Sequence, residues 1–275
     1  MILAVNVGNT HITFGVIENN KIIQPVMSIK TDRNQTAFGY AAEMKSVLDM
    51  AGFRECGFEG AVLSSVVPPL TRILDKAIEI VTEKKAIIVG AGIKSGIHLS
   101  TDDPGSVAAD LVAMAVAAKT EYELPCVIVD MGTAVTLTVV DEDGKFIGGA
   151  FMPGINLSLN ALFEEASLLP RIEVMSPKKA IGSSTVECVR SGVIYGYAGA
   201  VDGIIDKFTE ELGKTPATIV TTGGMAEVLG GYLKRKTVYD ENLLLKGLGY
   251  IYEKNLLSLR KKVSKEPFNN GFVQT

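Results

Sequence analysis

Short β-branched apolar runs alternate with longer stretches of helical period along the whole chain, a pattern that predicts an α/β architecture. Strands are expected at residues 2–7, 13–17 and 21–28, with a turn at Asn19-Asn20, where asparagine tolerates the left-handed backbone. A helix over 36–51 and a strand over 60–66 follow. Pro68-Pro69 suits the first turn of the next helix, which runs to about 83 and leads into a strand at 86–89. Pro104-Gly105 precedes an alanine-rich helix over 106–120. The order then restarts, with strands at 127–130, 135–140 and 145–149 and a helix over 158–167. Ser184-Thr185-Val186-Glu187 reads as a capping box for a long helix to about 212. A strand at 218–222, a Gly223-Gly224 turn, a helix over 225–233, a strand at 237–239 and a helix from 242 complete the second half. The restart divides the chain into units 1–119 and 120–258, followed by a basic and then polar stretch, 259–275, expected to be a flexible tail.

The restart also repeats a phrase. Val5-Asn6-Val7-Gly8-Asn9-Thr10 runs on to Glu18 and Lys21, and Val129-Asp130-Met131-Gly132-Thr133-Ala134 runs on to Glu142 and Lys145. Each copy is a strand, a glycine turn and a second strand. Glycine at the turn leaves room for a phosphate to approach the backbone, and Asn9, Thr10 and Thr133 offer amide and hydroxyl donors. One such hairpin is more economically read as a plain turn. Two matching copies with a third glycine turn at Thr221-Thr222-Gly223-Gly224 favour nucleotide binding.

Bulk composition narrows the partners. At 275 residues the chain has room for two cores, and 47% hydrophobic with 21% charged residues describes a folded protein. A net charge of −4 gives no footprint for nucleic acid, while backbone N–H groups still suffice to hold phosphates. Cys56, Cys126 and Cys188 form no paired motif, which fits a reducing compartment and argues against structural zinc. No apolar run approaches the ~18 residues of a membrane helix, and the start reads as a strand rather than a signal peptide. A soluble cytoplasmic protein is expected.

Two carboxylates stand out. Asp130 ends a buried strand, where it could hold a cation against phosphate charge or simply accept turn N–H groups. Asp110 sits in Val107-Ala108-Ala109-Asp110-Leu111, with Ser106, Val107, Ala113 and Met114 as helix-face neighbours. A half-buried Asp110 has the raised pKa of a general base, and a first-turn Asp110 is equally explained by the helix dipole. His11 and His98 belong to no acid–histidine pattern and read as surface residues.

These segments together resemble the actin-like ATPase and sugar-kinase superfamily, and within it the type III pantothenate kinase family. The resemblance rests on Val7-Gly8-Asn9-Thr10, Gly92-Ile93-Lys94-Ser95-Gly96, Asp103-Pro104, Asp130-Met131-Gly132-Thr133-Ala134, Gly148-Gly149, Pro153-Gly154-Ile155, Leu169-Pro170, Thr222-Gly223-Gly224 and Leu245-Lys246-Gly247-Leu248. It implies two similar actin-like (ribonuclease H-like) domains, each a mixed sheet flanked by helices. It also implies ATP-dependent phosphorylation of pantothenate to 4′-phosphopantothenate in a homodimer, with Mg2+ and a monovalent cation, K+ or NH4+. By position, Asn6, Val7, Gly8, Asn9, Thr10, Thr13, Thr133, Gly223 and Gly224 would bind nucleotide. Asp110 would be the general base and Asp130 would hold the cation. Thr101, Ala108, Ala109, Asp110 and Leu111 would surround the acceptor, with Thr185 reaching it across the dimer interface.

The chain departs from the family pattern at clustered positions. Asn6 replaces the aspartate that opens the first hairpin, Ala108-Ala109-Asp110-Leu111 replaces Gly-Ala-Asp-Arg, and Thr101 replaces a tyrosine. Leucine has none of the bidentate grip on a carboxylate that arginine supplies. Two further readings are thereby open. One is a kinase acting on another small alcohol; the other is a divergent paralogue with weak or no pantothenate kinase activity, serving as a nucleotide-binding regulator.

Overall fold

The computed structural model describes residues 1–54 and 56–263. Its first sheet is built from β1 (Ile2–Val7), β2 (His11–Glu18), β3 (Lys21–Lys30), β4 (Gly60–Ser65) and β5 (Ala86–Ile88), in the order β3-β2-β1-β4-β5. The first three strands form an antiparallel meander, and β4 and β5 add in parallel beyond β1. Asn19 and Asn20 at the β2–β3 turn both take positive φ, as a two-residue hairpin requires.

The second sheet repeats this plan. A meander of β7 (Cys126–Met131), β8 (Ala134–Val140) and β9 (Lys145–Pro153) is followed by parallel β10 (Thr218–Thr222) and β11 (Val238–Tyr239). The order β11-β10-β7-β8-β9-β6 adds one short edge strand, β6 (His98–Leu99), parallel to β9. Both sheets are therefore mixed, as expected. β6 is too short for any periodicity to show in sequence, and β9 runs four residues past the expected end, to Pro153.

Helices α1 (Ala37–Met50) and α2 (Pro68–Thr82) cover the outer face of the first sheet, closing a core around Leu3, Val5, Phe14, Leu63, Tyr40 and Leu74. Helices α4 (Ile155–Glu165), α5 (Thr185–Leu212) and α6 (Ala226–Gly230) lie on the second sheet, over Val127, Val129, Leu137 and Ile219. Between the two sheets stand α3 (Ala109–Glu121) and α7 (Leu243–Val263), whose core takes Ala4 and Val62 from one sheet and Ile128 and Val220 from the other. α7 thus includes Arg260, Lys261 and Lys262, while residues 264–275 of the expected tail lie outside the described residues.

α3 is buried without interruption from Leu111 to Ala118, so it needs no amphipathic stripe, and alanine lets its neighbours approach. The closest approach is at Gly247 of α7, where a Cβ would lie 1.8 Å from the Ala113 carbonyl oxygen. A polar clasp fixes the far end of this crossing. Lys246 Nζ donates to Glu121 Oε2 and Asp240 Oδ2, both at 2.8 Å, while the hydroxyls of Tyr250 and Tyr122 donate to Glu121 and Asp240. Each buried charge is thereby paired, which removes the penalty that an isolated one would carry.

Candidate active site

Strand alternation decides what the inner faces of the sheets present. In β1, Leu3, Val5 and Val7 point to the outer core, so Ile2, Ala4 and Asn6 point inward. Asn6 is paired with Thr13 on β2 and Ser64 on β4, forming a polar row, Thr13–Asn6–Ser64. In β7 the same alternation turns Ile128 and Asp130 inward, and Asp130 is paired with Thr136 on β8 and Thr222 on β10. The second row, Thr136–Asp130–Thr222, occupies the equivalent strands of the repeated plan. Ser64, Thr136 and Thr222 escape sequence reading because serine and threonine in a strand look like ordinary pleated-surface residues. Only the register joins them to Asn6 and Asp130.

The glycine turns bring the two hairpins together. The Gly8 N–H donates to His11 O and the Gly132 N–H to Ala134 O, each at 3.0 Å. Thr10 Oγ1 and Thr133 Oγ1, one from each hairpin, share a hydrogen bond at 3.0 Å. Both side chains are exposed at the mouth of the cleft, as is Asn9, which accepts from Arg33. Thr31 closes the first hairpin from below by donating to Gly8 O at 2.8 Å. The Gly223 turn abuts the second hairpin. Its φ of +88° is a left-handed conformation, and a Cβ there would meet Asp130 Oδ1 at 2.5 Å. Gly224 follows it, before α6, which covers only 226–230 of the expected helix.

Asp110 is placed differently from the expected helix register. A 3₁₀ turn at Pro104–Ser106 ends before Val107, Ala108 is the N-cap of α3, and Asp110 is the helix's second residue. Ser106 and Val107 are therefore not its neighbours on a helix face, because Pro104-Gly105 closes a separate turn first. Asp110 Oδ1 accepts the Leu111 N–H at 2.8 Å, and no side chain caps the helix end. Burial pushes the Asp110 carboxyl above its usual range, opposed by that N–H bond. The structure thus joins both sequence readings: a first-turn aspartate that is also desolvated.

Asp130 is desolvated more strongly, and its carboxyl is pushed up to about 7, first by burial and then by the charge of nearby Asp110. The two carboxylates therefore face one site, from α3 and from the end of β7. On the two inward polar rows, Asn6 Oδ1, Ser64 Oγ and Thr136 Oγ1 are buried without a hydrogen-bond partner. A native interior rarely leaves such atoms unsatisfied, and their oxygens suit the water shell of a magnesium–nucleotide complex. Among the described residues no three His, Cys, Asp or Glu side chains converge as a metal cage. A cation here would rest on one or two carboxylates with hydroxyl and phosphate oxygens, an environment that suits Mg2+ rather than zinc.

Beside Asp110 opens a cavity of about 410 Å³ whose walls include Thr101, Asp102, Ala108, Leu111, Thr138 and Phe151. Of the residues expected to surround the acceptor, Thr101, Ala108 and Leu111 line it, while Ala109 and Asp110, in the first turn of α3 between them, do not. Thr185 is exposed in the first turn of α5 and is likewise not part of the cavity wall. Ser184 caps that helix by accepting the Glu187 N–H, but Glu187 turns to the Lys178 N–H and Arg190, so the expected capping box is half formed. His11 is exposed at the edge of β2 and His98 at the start of β6. Among the described residues, no helix is long and apolar enough to cross a membrane.

A family model described as type III pantothenate kinase matches residues 2–207. The chain is 39% identical over 258 residues to a type III pantothenate kinase of Brevibacillus brevis, covering 93% of this chain and 99% of that one. To the type III pantothenate kinase of Halalkalibacterium halodurans it is 37% identical over 256 residues, covering 93% and 100%. Solved structures with the same fold include the activator of 2-hydroxyisocaproyl-CoA dehydratase from Clostridium difficile with bound ADPNP, with TM-score 0.55, 12% identity and 94% and 97% coverage. They also include a ROK hexokinase from Thermus thermophilus, with TM-score 0.51, 14% identity and 94% and 99% coverage. The fold is thus the actin-like arrangement of two mixed sheets flanked by helices. With the match running through almost the whole of these relatives, the chain belongs to the type III pantothenate kinase family.

Proposed function

We propose that this chain transfers the γ-phosphoryl group of ATP to the primary hydroxyl of pantothenate, giving 4′-phosphopantothenate and ADP, the first step of coenzyme A synthesis. One observation carries the reading: the two glycine hairpins meet through Thr10 and Thr133 at 3.0 Å, beside Asp110 and Asp130. Phosphoryl transfer asks mainly for positioning and charge stabilisation, and this geometry supplies donors for phosphate on one side and a base on the other.

In the proposed reaction the hairpin segments Asn6–Val7–Gly8–Asn9–Thr10 and Thr133, with Thr13, Gly223 and Gly224, hold the nucleotide. The acceptor lies in the cavity beside α3, near Thr101, Ala108, Ala109 and Leu111. Asp110 takes the proton from the acceptor hydroxyl as its oxygen bonds to the γ-phosphorus, and the bond to the β–γ bridging oxygen breaks with ADP leaving. Bound Mg2+ would offset phosphate charge, with the Asn6 and Ser64 oxygens ordering its water shell. Asp130 would hold K+ or NH4+, a cation that would also offset the repulsion between Asp130 and Asp110. Thr185 is exposed and outside the cavity, so its contact with acceptor would come from a second copy in a homodimer.

Both carboxylates are desolvated towards a common site, which favours a catalyst over a nucleotide-binding regulator. The test is ADP release by purified protein given Mg2+-ATP and K+, with and without pantothenate. Release that depends on pantothenate, and falls when choline replaces K+, is expected. Release that ignores pantothenate, or none despite nucleotide binding, would overturn the assignment.

A further inference from the structure

The turns that would hold nucleotide contain no lysine or arginine: none falls within residues 6–13, 130–136 or 222–224. A phosphate group arriving there meets neutral donors, with Asp110 and Asp130 close by, and a guanidinium within reach would strengthen its hold. Arg33 supplies one. Among the described residues it is the one lysine or arginine side chain recorded as donating to either hairpin turn, with Nη2 3.4 Å from Asn9 Oδ1. The backbone leading to it is fixed. The Thr31 N–H donates to Thr10 O at 3.0 Å and Thr31 Oγ1 to Gly8 O at 2.8 Å, which fastens this segment to the first hairpin. The Asp32 N–H donates at 2.8 Å to the hydroxyl of buried Tyr40, which donates back to Asp32 O at 2.6 Å. The Asp32 carboxylate accepts the Asn34 N–H at 2.9 Å, and Arg33 makes no ion pair among the described residues. Its guanidinium is exposed and held by a single long bond to a neutral oxygen, which leaves the rest of the donor fork for a stronger acceptor.

Resting on the kinase reading above, we propose that Arg33 is a further catalytic residue, a ligand of the terminal phosphate of ATP. On nucleotide binding its guanidinium leaves Asn9 Oδ1 and donates to two oxygens of the γ-phosphoryl group, exchanging a neutral acceptor for a charged one. The transferred group is the one that both hairpins must reach, and they meet through Thr10, the residue next to Asn9, and Thr133. With Thr31 and Asp32 anchored, the exchange needs only side-chain torsions of Arg33. During transfer the acceptor oxygen bonds to the γ-phosphorus, its proton goes to Asp110, and ADP leaves with the bridging electron pair. Arg33 neither gives nor takes a proton; it offsets charge on the phosphoryl oxygens throughout.

The probes are ADP and the non-hydrolysable β,γ-imido analogue of ATP, each titrated by calorimetry with Mg2+ and K+ present. Arg33→Ala should weaken the analogue by about 10- to 100-fold and ADP by less than about twofold, since only the analogue carries the third phosphate. Arg33→Lys keeps the charge but not the fork, and should recover part of the loss. In turnover with pantothenate, kcat/KM for ATP should fall at least about tenfold in Arg33→Ala. Arg33 is exposed, so Tm without nucleotide should stay where it is, whereas a merely structural role would lower it and would not separate the two nucleotides. Equal weakening of both nucleotides, or of neither, in a protein whose wild type shows pantothenate-dependent ADP release would overturn the inference and leave the kinase assignment standing. A wild type that binds neither nucleotide would overturn both.

Discussion

Replacing Asp130 by asparagine isolates the cost of holding a carboxylate at the end of β7. Asparagine keeps the shape and one carbonyl oxygen but cannot ionise. The Asp130 carboxyl titrates near 7 in the fold against its usual 3.8, raised first by burial and then by the charge of Asp110. That gap corresponds to roughly 4 kcal/mol, as an order of magnitude, by which ionised Asp130 disfavours the folded state without bound cation. The sign follows from proton counts. Between pH 3.8 and about 7 the folded chain retains a proton that the unfolded chain has lost, so wild-type stability falls as pH rises through this window. Asp130→Asn has no such loss. The two proteins should be nearly equal in stability at pH 4, and the variant should be the more stable at pH 8 by up to ~4 kcal/mol, or about 8–16 °C in Tm. Urea unfolding across this range, in a tetramethylammonium buffer free of nucleotide, K+ and Mg2+, measures the difference. Adding K+ should restabilise the wild type at pH 8 and leave the variant unmoved. A stability difference constant with pH, or a variant that is less stable at pH 8, would show that Asp130 is not held protonated by burial.

Three other substitutions probe separate links in the argument. Gly247→Ala drives a methyl group against the Ala113 carbonyl, so α3 and α7 must part, and a loss of about 2–4 kcal/mol in urea unfolding is expected. Thr10→Val removes the only side-chain hydrogen bond recorded between the two hairpins among the described residues; ATP affinity measured by calorimetry should fall about fivefold, with stability lowered by ~1 kcal/mol or less. Asn6→Asp adds a carboxylate to the half-buried Thr13–Asn6–Ser64 row. Without ligand its Tm at pH 8 should fall, whereas its Mg2+-ATP affinity should rise by about tenfold, a trade that scanning fluorimetry with and without Mg2+-ATP would show.

What could be read beforehand was local. The hairpins at Gly8 and Gly132 and the Ser184 half of the capping box each depend on a few adjacent residues, and the structure forms them close to their expected places. The repeated order of elements likewise carried over into two sheets of the same plan. What escaped depends on strand register and helix crossing. Ser64, Thr136 and Thr222 join the site because they are opposite Asn6 or Asp130 on neighbouring strands. Gly247 matters because α7 crosses α3 at Ala113, far away in sequence. Asp110 was legible as a residue of interest, but its helix starts later than composition indicates. Alanine at 108 and 109 favours helix, and the 3₁₀ turn at Pro104–Ser106 and the extended backbone of Val107 and Ala108 delay its start.

Asp110 and the paired hairpins are proposed to carry out phosphoryl transfer to pantothenate. The most direct test follows the phosphorus, using ATP labelled at the γ-position with heavy oxygen and mass spectrometry of the products. Label should appear in 4′-phosphopantothenate with the wild-type protein, and Asp110→Asn should slow its appearance by about 10²–10⁴-fold while still binding ATP. Label found only in inorganic phosphate, or an Asp110→Asn variant as fast as the wild type, would contradict the account.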